Sequence, residues 1–212
     1  ALGYTMVYGI AKMLNFAHGD IIMVGSYVIF TATTMAGMPV PVAILASIVV
    51  CTILGVVIEG IAYRPLRGTS SLAVLITAIG VSYFLQNAVQ IIYGANAKSF
   101  KSVVALKAVK LAGGKLVISG ETIVTIISCV VIMVALNTFV NKTKTGHAML
   151  AVAEDRQAAE LMGINVNKTI SLTFAIGSGL AAVAGMLLCS AYPNLTPTTG
   201  AMPGIKAFTA AV

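Results

Sequence analysis

The sequence has little charge and no tryptophan. Of its 212 residues, 58% are hydrophobic and only 9% are charged, a composition outside the range of soluble globular domains. The net charge of +7 does not indicate a nucleic-acid partner, because the lysines and arginines are scattered and form no basic stripe with interleaved aromatic residues. They suit connectors that face anionic lipid headgroups. The composition therefore indicates a membrane protein.

Residue patterns for catalysis, metal binding and nucleotide binding are also missing. Cys51, Cys129 and Cys189 lie singly in apolar runs, which excludes a CxxC zinc site or a disulfide framework. No glycine-rich loop is followed by Lys and Ser or Thr, so ATP cannot be held in the P-loop manner. His18 and His147 are too isolated to predict a nucleophile–base pair. We predict no catalytic residue, no metal site and no cofactor, and we expect that the chain is not an enzyme.

Long apolar runs are what the sequence has instead. A bilayer core needs about 20 mostly apolar helical residues, and lipid excludes single strands because backbone polar groups must be satisfied within the segment. The predicted transmembrane helices cover residues 15–36, 40–62, 72–93, 120–140 and 169–192. The predicted fold is all-α, a polytopic transmembrane helix bundle that forms a single domain over residues 1–212.

Both ends of the sequence look cut. The chain starts without Met and without a signal peptide. Ala1–Ile10 has the character of the last part of an earlier span, and Gly204–Val212 that of the first part of a further one. We therefore expect partial spans at both ends and a fragment of a longer protein.

Small residues recur at every fourth position in two of the predicted spans. One set is Ser47, Cys51 and Gly55, and the other is Gly177, Ala181 and Gly185. Such faces let helix backbones approach closely in lipid. They are explained either by ordinary helix packing or by a tight wall of a pathway or dimer seam.

The alternation of spans places the connectors on two sides. Lys12, the Arg64–Arg67 turn and the connector 142–168 share one side, while Lys206 and the connector 98–119 fall on the other. Because Lys and Arg are nearly balanced between the two sides, the positive-inside rule does not orient the chain. Before Gly113-Gly114 the residues of one strand face, Lys107, Val109 and Leu111, alternate with Ala108, Lys110 and Ala112 of the other, and a further strand-like segment follows the two glycines. This pattern predicts a small β-hairpin within 98–119. It would either dock a soluble protein or cap the bundle.

The first polar cluster is the segment Asn15, Phe16, Ala17, His18, Gly19 and Asp20, which we place near a membrane boundary. On a helix, His18 and Asp20 point about 200° apart, so they are not expected to share a metal ion. Asp20 suits the positive end of a helix dipole. The cluster is explained by a helix start, or by a gate or a contact with a soluble partner.

A second polar cluster lies within a predicted span, where Gln86, Asn87 and Gln90 occupy less than two turns. Amides in a membrane helix seek partners inside the bundle. They either form interhelical hydrogen bonds or line a path for a zwitterionic solute. Glu59, close to the end of its span, is expected either to snorkel towards the membrane surface or to pair with Arg64, five residues on.

The polar stretch Glu154–Lys168, between two long apolar runs, has the character of a docking surface. Half of the chain's six acidic residues lie in it, its alanines favour helix and Gly163 can end one. It resembles the EAA loop of ABC-importer permeases, with Gln in the position usually occupied by Glu and without the Leu-Pro that follows in the general pattern. The residues that this resemblance predicts for ATPase coupling are Glu154, Asp155, Arg156, Gln157, Ala158, Ala159, Glu160 and Gly163.

Several segments, taken together and in order, resemble one family over essentially the whole chain. They are LNFAHGD at 14–20, RPLRG at 64–68, TAIGVS at 77–82 with LQN at 85–87, AVAED at 151–155, LMGIN at 161–165 and GIKAF at 204–208. They are similar to the branched-chain amino acid ABC transporter permeases of the LivH type. The related urea and short-amide permeases share the His-Gly-acid element and remain an alternative.

The resemblance implies a membrane subunit of an ATP-driven importer. It implies a second permease subunit, two cytoplasmic ATPase subunits, an extracytoplasmic solute-binding protein and a bacterial or archaeal plasma membrane. It also implies that the 142–168 connector is cytoplasmic and the hairpin is outside. From a different class, an ATP-independent channel or secondary transporter is disfavoured, because such proteins place ionisable groups in mid-span and these are nearly absent.

Overall fold

A computed structural model of the chain describes residues 1–99, 109–111 and 116–211. It is helical apart from two short antiparallel strand pairs. The helices are α1 (Leu2–Ala11), α2 (His18–Phe30), α3 (Val40–Ile58), α4 (Ser71–Tyr93), α5 (Gly120–Lys142), α6 (Lys144–Glu154), α7 (Arg156–Leu161), α8 (Val166–Ala191) and α9 (Ala201–Ala211). The strands are β1 (Lys98–Ser99), β2 (Val109–Leu111), β3 (Leu116–Ile118) and β4 (Asn194–Leu195).

Four helices in the described part of the chain are long and apolar enough to cross a membrane. They are α4, α5, α8 and the continuous helix Val40–Leu66. This helix extends α3 through a wide, π-helical turn at Glu59–Tyr63 and a tight, 3-10 helical turn at Arg64–Leu66. This confirms the predicted polytopic bundle. The predicted span 15–36 differs: its helix begins only at His18 and runs on through a wide turn at Thr31–Met35. The chain before it turns at Lys12, which has a φ of 51°.

Helix α2 is largely buried and packs against both α3 and α8, which also contact each other. The hydroxyl of Ser47 donates to the carbonyl of Gly25 at 2.9 Å, and the Cys51 thiol donates to the carbonyl of Ile21 at 3.6 Å. A Cβ on Gly25 would come within 2.9 Å of the Ala182 Cα in α8 and within 3.2 Å of the Cys51 Sγ and the Ser47 Oγ in α3. Such approaches require small residues, so the stripes on α3 and α8 serve close packing within this chain.

The same stripes bring α8 against α1 and α3. A Cβ on Gly177 would lie 2.7 Å from a methyl group of Val7, and one on Gly55 would lie 2.5 Å from the Cβ of Ser178. By contrast, none of the most apolar part of α5 is buried within the chain. Helix α8 is therefore a second core element, while α5 presents its surface to lipid or to another subunit.

The polar connectors lie at two opposite ends, as the alternation of spans predicts. At one end Arg156 donates to the carbonyl of Ala11, and Arg67 donates to the side chain of Asn167. At the other end β1 pairs with β4, a contact that the sequence did not predict. The predicted hairpin is present as β2 and β3, with Lys110 opposite Val117, whereas the Gly113-Gly114 turn lies outside the described residues.

Helix α9 runs back along α2. A Cβ on Gly19 would come within 3.0 Å of the Gly204 Cα, and the ring of Phe208 lies 5.0 Å from that of Phe16. Between these two contacts, Lys206 lines a cavity together with Leu188 and Tyr192 at the end of α8. That Lys206 belongs to the hairpin end stays a prediction.

Candidate functional site

The predicted coupling segment folds as a short helix with defined ends. The Asp155 carboxylate accepts from the backbone N–H groups of Gln157, at 2.8 Å, and Ala158, at 3.1 Å. It thereby caps α7, because the first N–H groups of a helix have no partner within it. Gly163 follows the helix with a φ of +82°, a left-handed conformation that favours glycine. The segment is a helix–turn of fixed shape rather than a loose linker.

One face of α7 is anchored to the bundle. Ala159 is buried, and Arg156 reaches from the start of the helix to the carbonyl of Ala11, at the end of α1. That carbonyl is one of the last in α1, where no later N–H of the same helix is available to it. A displacement of α7 would therefore act directly on the end of α1 through this hydrogen bond.

The opposite face of α7 is exposed. Leu161 is 89% exposed and Met162 is 83% exposed, immediately before the turn at Gly163. The remaining exposed residues of the segment, mostly acidic or polar, are Glu154, Asp155, Gln157, Ala158 and Glu160. Leu161 and Met162 were missed as candidate residues. Two consecutive large apolar side chains in a polar connector were the signal that could have identified them.

A buried ion pair lies at the same end of the bundle as this segment. The Glu59 carboxylate is 1% exposed and accepts from the guanidinium of Arg67 and, at 2.5 Å, from the hydroxyl of Ser171. Arg67 also donates to Asn167. Burial lowers the pKa of Arg67, while the adjacent Glu59 carboxylate acts in the opposite direction. The cluster links the end of α3 to the start of α8, which follows α7.

The expected pairing of Glu59 with Arg64 is wrong. Arg64 is exposed, and the partner is Arg67, eight residues after Glu59. The reason is the backbone between Glu59 and Arg67. The π-helical turn Glu59–Tyr63 and the 3-10 turn Arg64–Leu66 bring Arg67 back to Glu59. Sequence spacing based on a regular helix does not predict such a return.

The cluster Asn15–Asp20 is mostly buried inside the bundle, at the start of α2. Asn15 accepts a hydrogen bond from the phenol of Tyr63 at 2.9 Å, and both side chains are buried. His18 is also buried and stands edge-on to the ring of Tyr4, with ring centroids 5.6 Å apart. Ala17 and Gly19 are buried too, and Phe16 is partly exposed. The motif is a packing centre where α1, α2, α3 and α9 meet.

Of the three amides in α4, Gln86 reaches into the bundle. Its Nε2 donates to the Asp20 carboxylate at 2.9 Å and to the Ser82 hydroxyl at 3.2 Å. Asn87 instead donates to the carbonyl of Tyr83 in its own helix, at 2.7 Å. Gln90 is exposed. The structure thus joins two predicted clusters, since Asp20 belongs to the first and Gln86 to the second.

The sequence matches the family of permease components of branched-chain amino acid transport systems over residues 1–212. The chain belongs to this family. It is 44% identical to the high-affinity branched-chain amino acid transport system permease protein BraD of Pseudomonas aeruginosa, over all of this chain and 72% of the relative. It is 42% identical to LivH of Escherichia coli K12, again over all of this chain and 72% of the relative. No solved structure matches.

As a member of this permease family, the chain is a multi-pass protein of the plasma membrane. A probable branched-chain amino acid transport permease protein LivH of Methanocaldococcus jannaschii is 29% identical over all of this chain and 68% of the relative. Among the described residues of this permease, no group of three or more His, Cys, Asp or Glu side chains is placed to hold a metal ion. The candidate polar features of this permease are the exposed segment around α7 and the Asp20–Gln86 contact.

Proposed function

We propose that the chain is the membrane-spanning permease subunit of an ATP-driven importer for leucine, isoleucine and valine. Membership of the permease family supports the transport role, and the names of BraD and LivH support this class of substrate. In this assembly a second permease subunit completes the translocation path. Two cytoplasmic ATPase subunits supply the energy, and an extracytoplasmic binding protein delivers the amino acid.

The energy has to enter through a contact with another subunit. The sequence contains no P-loop, and a conformational change is driven only by a partner that binds two states with different affinities. The exposed face of α7 is the surface suited to such a partner. This face is the single observation that carries the proposed coupling.

The surface has a defined chemistry. Leu161 and Met162 form an apolar tip, and Glu154 and Glu160 provide acidic groups in the same exposed segment. It fits an apolar cleft bordered by basic side chains on an ATPase subunit. A push on α7 is passed to α1 through Arg156, and to α8 through the short turn at Gly163.

The proposed orientation follows from this contact. The end that carries α6, α7 and the Arg64–Arg67 turn faces the cytoplasm, and the β2–β3 hairpin faces outwards. A cysteine introduced by Leu161→Cys in a Cys129→Ser background tests this with a membrane-impermeant maleimide. Labelling is expected in inverted vesicles and not in intact spheroplasts. The reverse pattern would exclude docking of an ATPase at α7.

Two alternatives are weaker. A urea or short-amide permease of the same family would keep this architecture, but the names of the relatives BraD and LivH point to branched-chain amino acids. An ATP-independent transporter gains one argument from Asp20, an acidic residue buried in the bundle. It leaves the exposed face of α7 without a role.

The docking contact is tested by the double substitution Leu161→Asp/Met162→Asp in the full-length permease. Two charges on the apolar tip are expected to lower co-purification of the ATPase subunits by about tenfold or more, since burying an unpaired charge is costly. Leucine uptake should fall in parallel, while the amount of permease in the membrane stays the same. The matched control is Leu161→Met/Met162→Leu, which keeps the tip apolar. Normal ATPase retention and uptake in the Asp variant would refute docking at α7.

A further inference from the structure

Two carboxylates are buried in the described part of the chain, and they have different partners. Glu59 is bound by a guanidinium and a hydroxyl. Asp20 is 2% exposed and is bound by the neutral amide of Gln86 at 2.9 Å, with the Ser82 hydroxyl beside it. Within residues 1–99, 109–111 and 116–211, no Lys, Arg or His forms an ion pair with Asp20. A buried carboxylate normally has a cationic partner, so Asp20 lacks one that Glu59 has.

Asp20 lies deep in the membrane-spanning bundle. The carbonyl of the next residue, Ile21, is contacted by Cys51, which is close to the middle of the helix Val40–Leu66. Ionisable groups at this depth face the interior of a bundle or a water-filled cavity and mark pathways for solutes. Asp20 is also in the first turn of α2, where the helix dipole favours a negative charge.

A row of polar side chains leads from Asp20 to the surface of α4. Ser82, Gln86 and Gln90 are spaced four residues apart and therefore follow one face of this helix. Ser82 and Gln86 are partly exposed, and Gln90 is exposed. Amides are costly against lipid, so this face is suited to a second subunit or to an aqueous path. The side chain of Gln86 lies between Asp20 and this exposed face.

We propose that Asp20 binds the ammonium group of the transported amino acid, and that the Gln86 amide occupies this position when no substrate is present. The inference rests on the proposed function, since it names a substrate contact within that translocation path. In the substrate-free state the N–H of Gln86 satisfies the carboxylate. When a zwitterionic amino acid arrives, Gln86 rotates towards the exposed face of α4 and the ammonium group replaces it.

The exchange explains why the partner is an amide and not a cation. An arginine or lysine would hold the carboxylate permanently, as Arg67 holds Glu59. A neutral amide binds the carboxylate less strongly than an ammonium group does, because the ammonium group adds the attraction between opposite charges. The site can therefore accept its ligand and still release it.

A purely structural role predicts a different result for one isosteric variant. In Asp20→Asn, the side-chain oxygen can still accept from Gln86, so the contact between α2 and α4 is retained without the charge. If Asp20 only joins the two helices, uptake should stay near that of the unsubstituted permease. If it binds an ammonium group, the maximal rate of L-leucine uptake should fall by about tenfold or more, the scale of a lost charged hydrogen bond.

The experiment uses the full-length permease in its complete transport complex, reconstituted in liposomes with radiolabelled L-leucine. The second variant, Asp20→Asn/Gln86→Glu, moves the carboxylate across the same hydrogen bond and is expected to regain part of the lost rate. Ser26→Ala in α2 is the matched control, because the Ser26 hydroxyl bonds the carbonyl of Ile22 in its own helix and the thiol of Cys189 in α8, away from the Asp20–Gln86 contact. Its uptake should be unchanged.

ATP hydrolysis and ATPase co-purification are measured on the same preparations. Loss of uptake in Asp20→Asn with an intact complex, and partial recovery in the exchanged pair, supports the inference. Normal uptake in Asp20→Asn, or no recovery in the exchanged pair, overturns it while leaving the proposed function in place. If the unsubstituted complex does not transport L-leucine at all, the proposed function itself fails.

Discussion

The crossing of α3 and α8 at Gly55 gives a quantitative test of the packing. A Cβ at this position would lie 2.5 Å from the Cβ of Ser178. That is about 1 Å shorter than ordinary van der Waals contact, and neither atom can move by a change of rotamer. Gly55→Ala must therefore separate the two helices. We expect a loss of about 1–3 kcal/mol in the free energy of unfolding, the usual cost of overpacking a core.

The clash is with a side chain, so it can be relieved. Ser178→Gly removes the obstructing atoms and leaves the Phe174 carbonyl oxygen, 3.2 Å from the new Cβ, as the next neighbour. By itself Ser178→Gly should cost about 1 kcal/mol, the penalty of glycine inside a helix. In the double variant the helix propensity gained by Gly55→Ala offsets the propensity lost by Ser178→Gly. We expect the free energy of unfolding of the double variant to lie within about 1 kcal/mol of that of the unsubstituted protein. The double variant is then more stable than the sum of the two single losses predicts.

Unfolding in mixed micelles of dodecyl maltoside and SDS measures these differences. The control is Gly80→Ala in α4, where a Cβ would meet nothing within 4 Å. There the substitution should be neutral or stabilising by up to about 1 kcal/mol, because alanine is the better helix former. The signs for Gly55 and Gly80 are therefore opposite. Equal effects at the two positions, or additive effects of Gly55→Ala and Ser178→Gly, would refute the described α3–α8 contact.

Two further predictions concern the end of the bundle that carries α7. Arg67→Ala leaves the buried Glu59 carboxylate without its cation, so it should lower the free energy of unfolding by about 3–5 kcal/mol. Arg64→Ala, at an exposed position, should change it by less than about 0.5 kcal/mol. The same mixed-micelle titration compares them, and similar losses would contradict the assigned ion pair. Gly163→Pro cannot adopt the left-handed φ of +82° and is expected to reduce leucine transported per ATP hydrolysed. Gly163→Asn tolerates that conformation and should retain coupling, and equal coupling ratios would argue against a required turn.

Local features of the sequence predicted the elements of the candidate site. Two alanines and Gly163 as a terminator act within a few residues of one another, so the short helix α7 followed from the sequence, whereas its cap, Asp155, was recognised only in the structure. The small residues at every fourth position predicted close helix approaches for the same reason. Which helices approach is a question of distant parts of the chain, and the sequence left it open.

The predictions that failed depend on contacts between distant segments or on irregular backbone. Glu59 pairs with Arg67 because a wide turn precedes a tight one. The burial of the Asn15–Asp20 cluster was not predicted either, because it depends on α9 folding back over the cluster from a distant part of the chain. Hydropathy records whether a segment prefers lipid. It does not record which neighbour shields the segment.

The sequence by itself determined the membrane class, the family and the positions of the long helices, because apolar length and short motifs are properties of continuous segments. Only the tertiary structure decided that Asp20 meets Gln86, residues that are 66 positions apart. A carboxylate and an amide acquire a common role when two helices bring them within hydrogen-bond distance, and spacing along the chain carries no record of that distance.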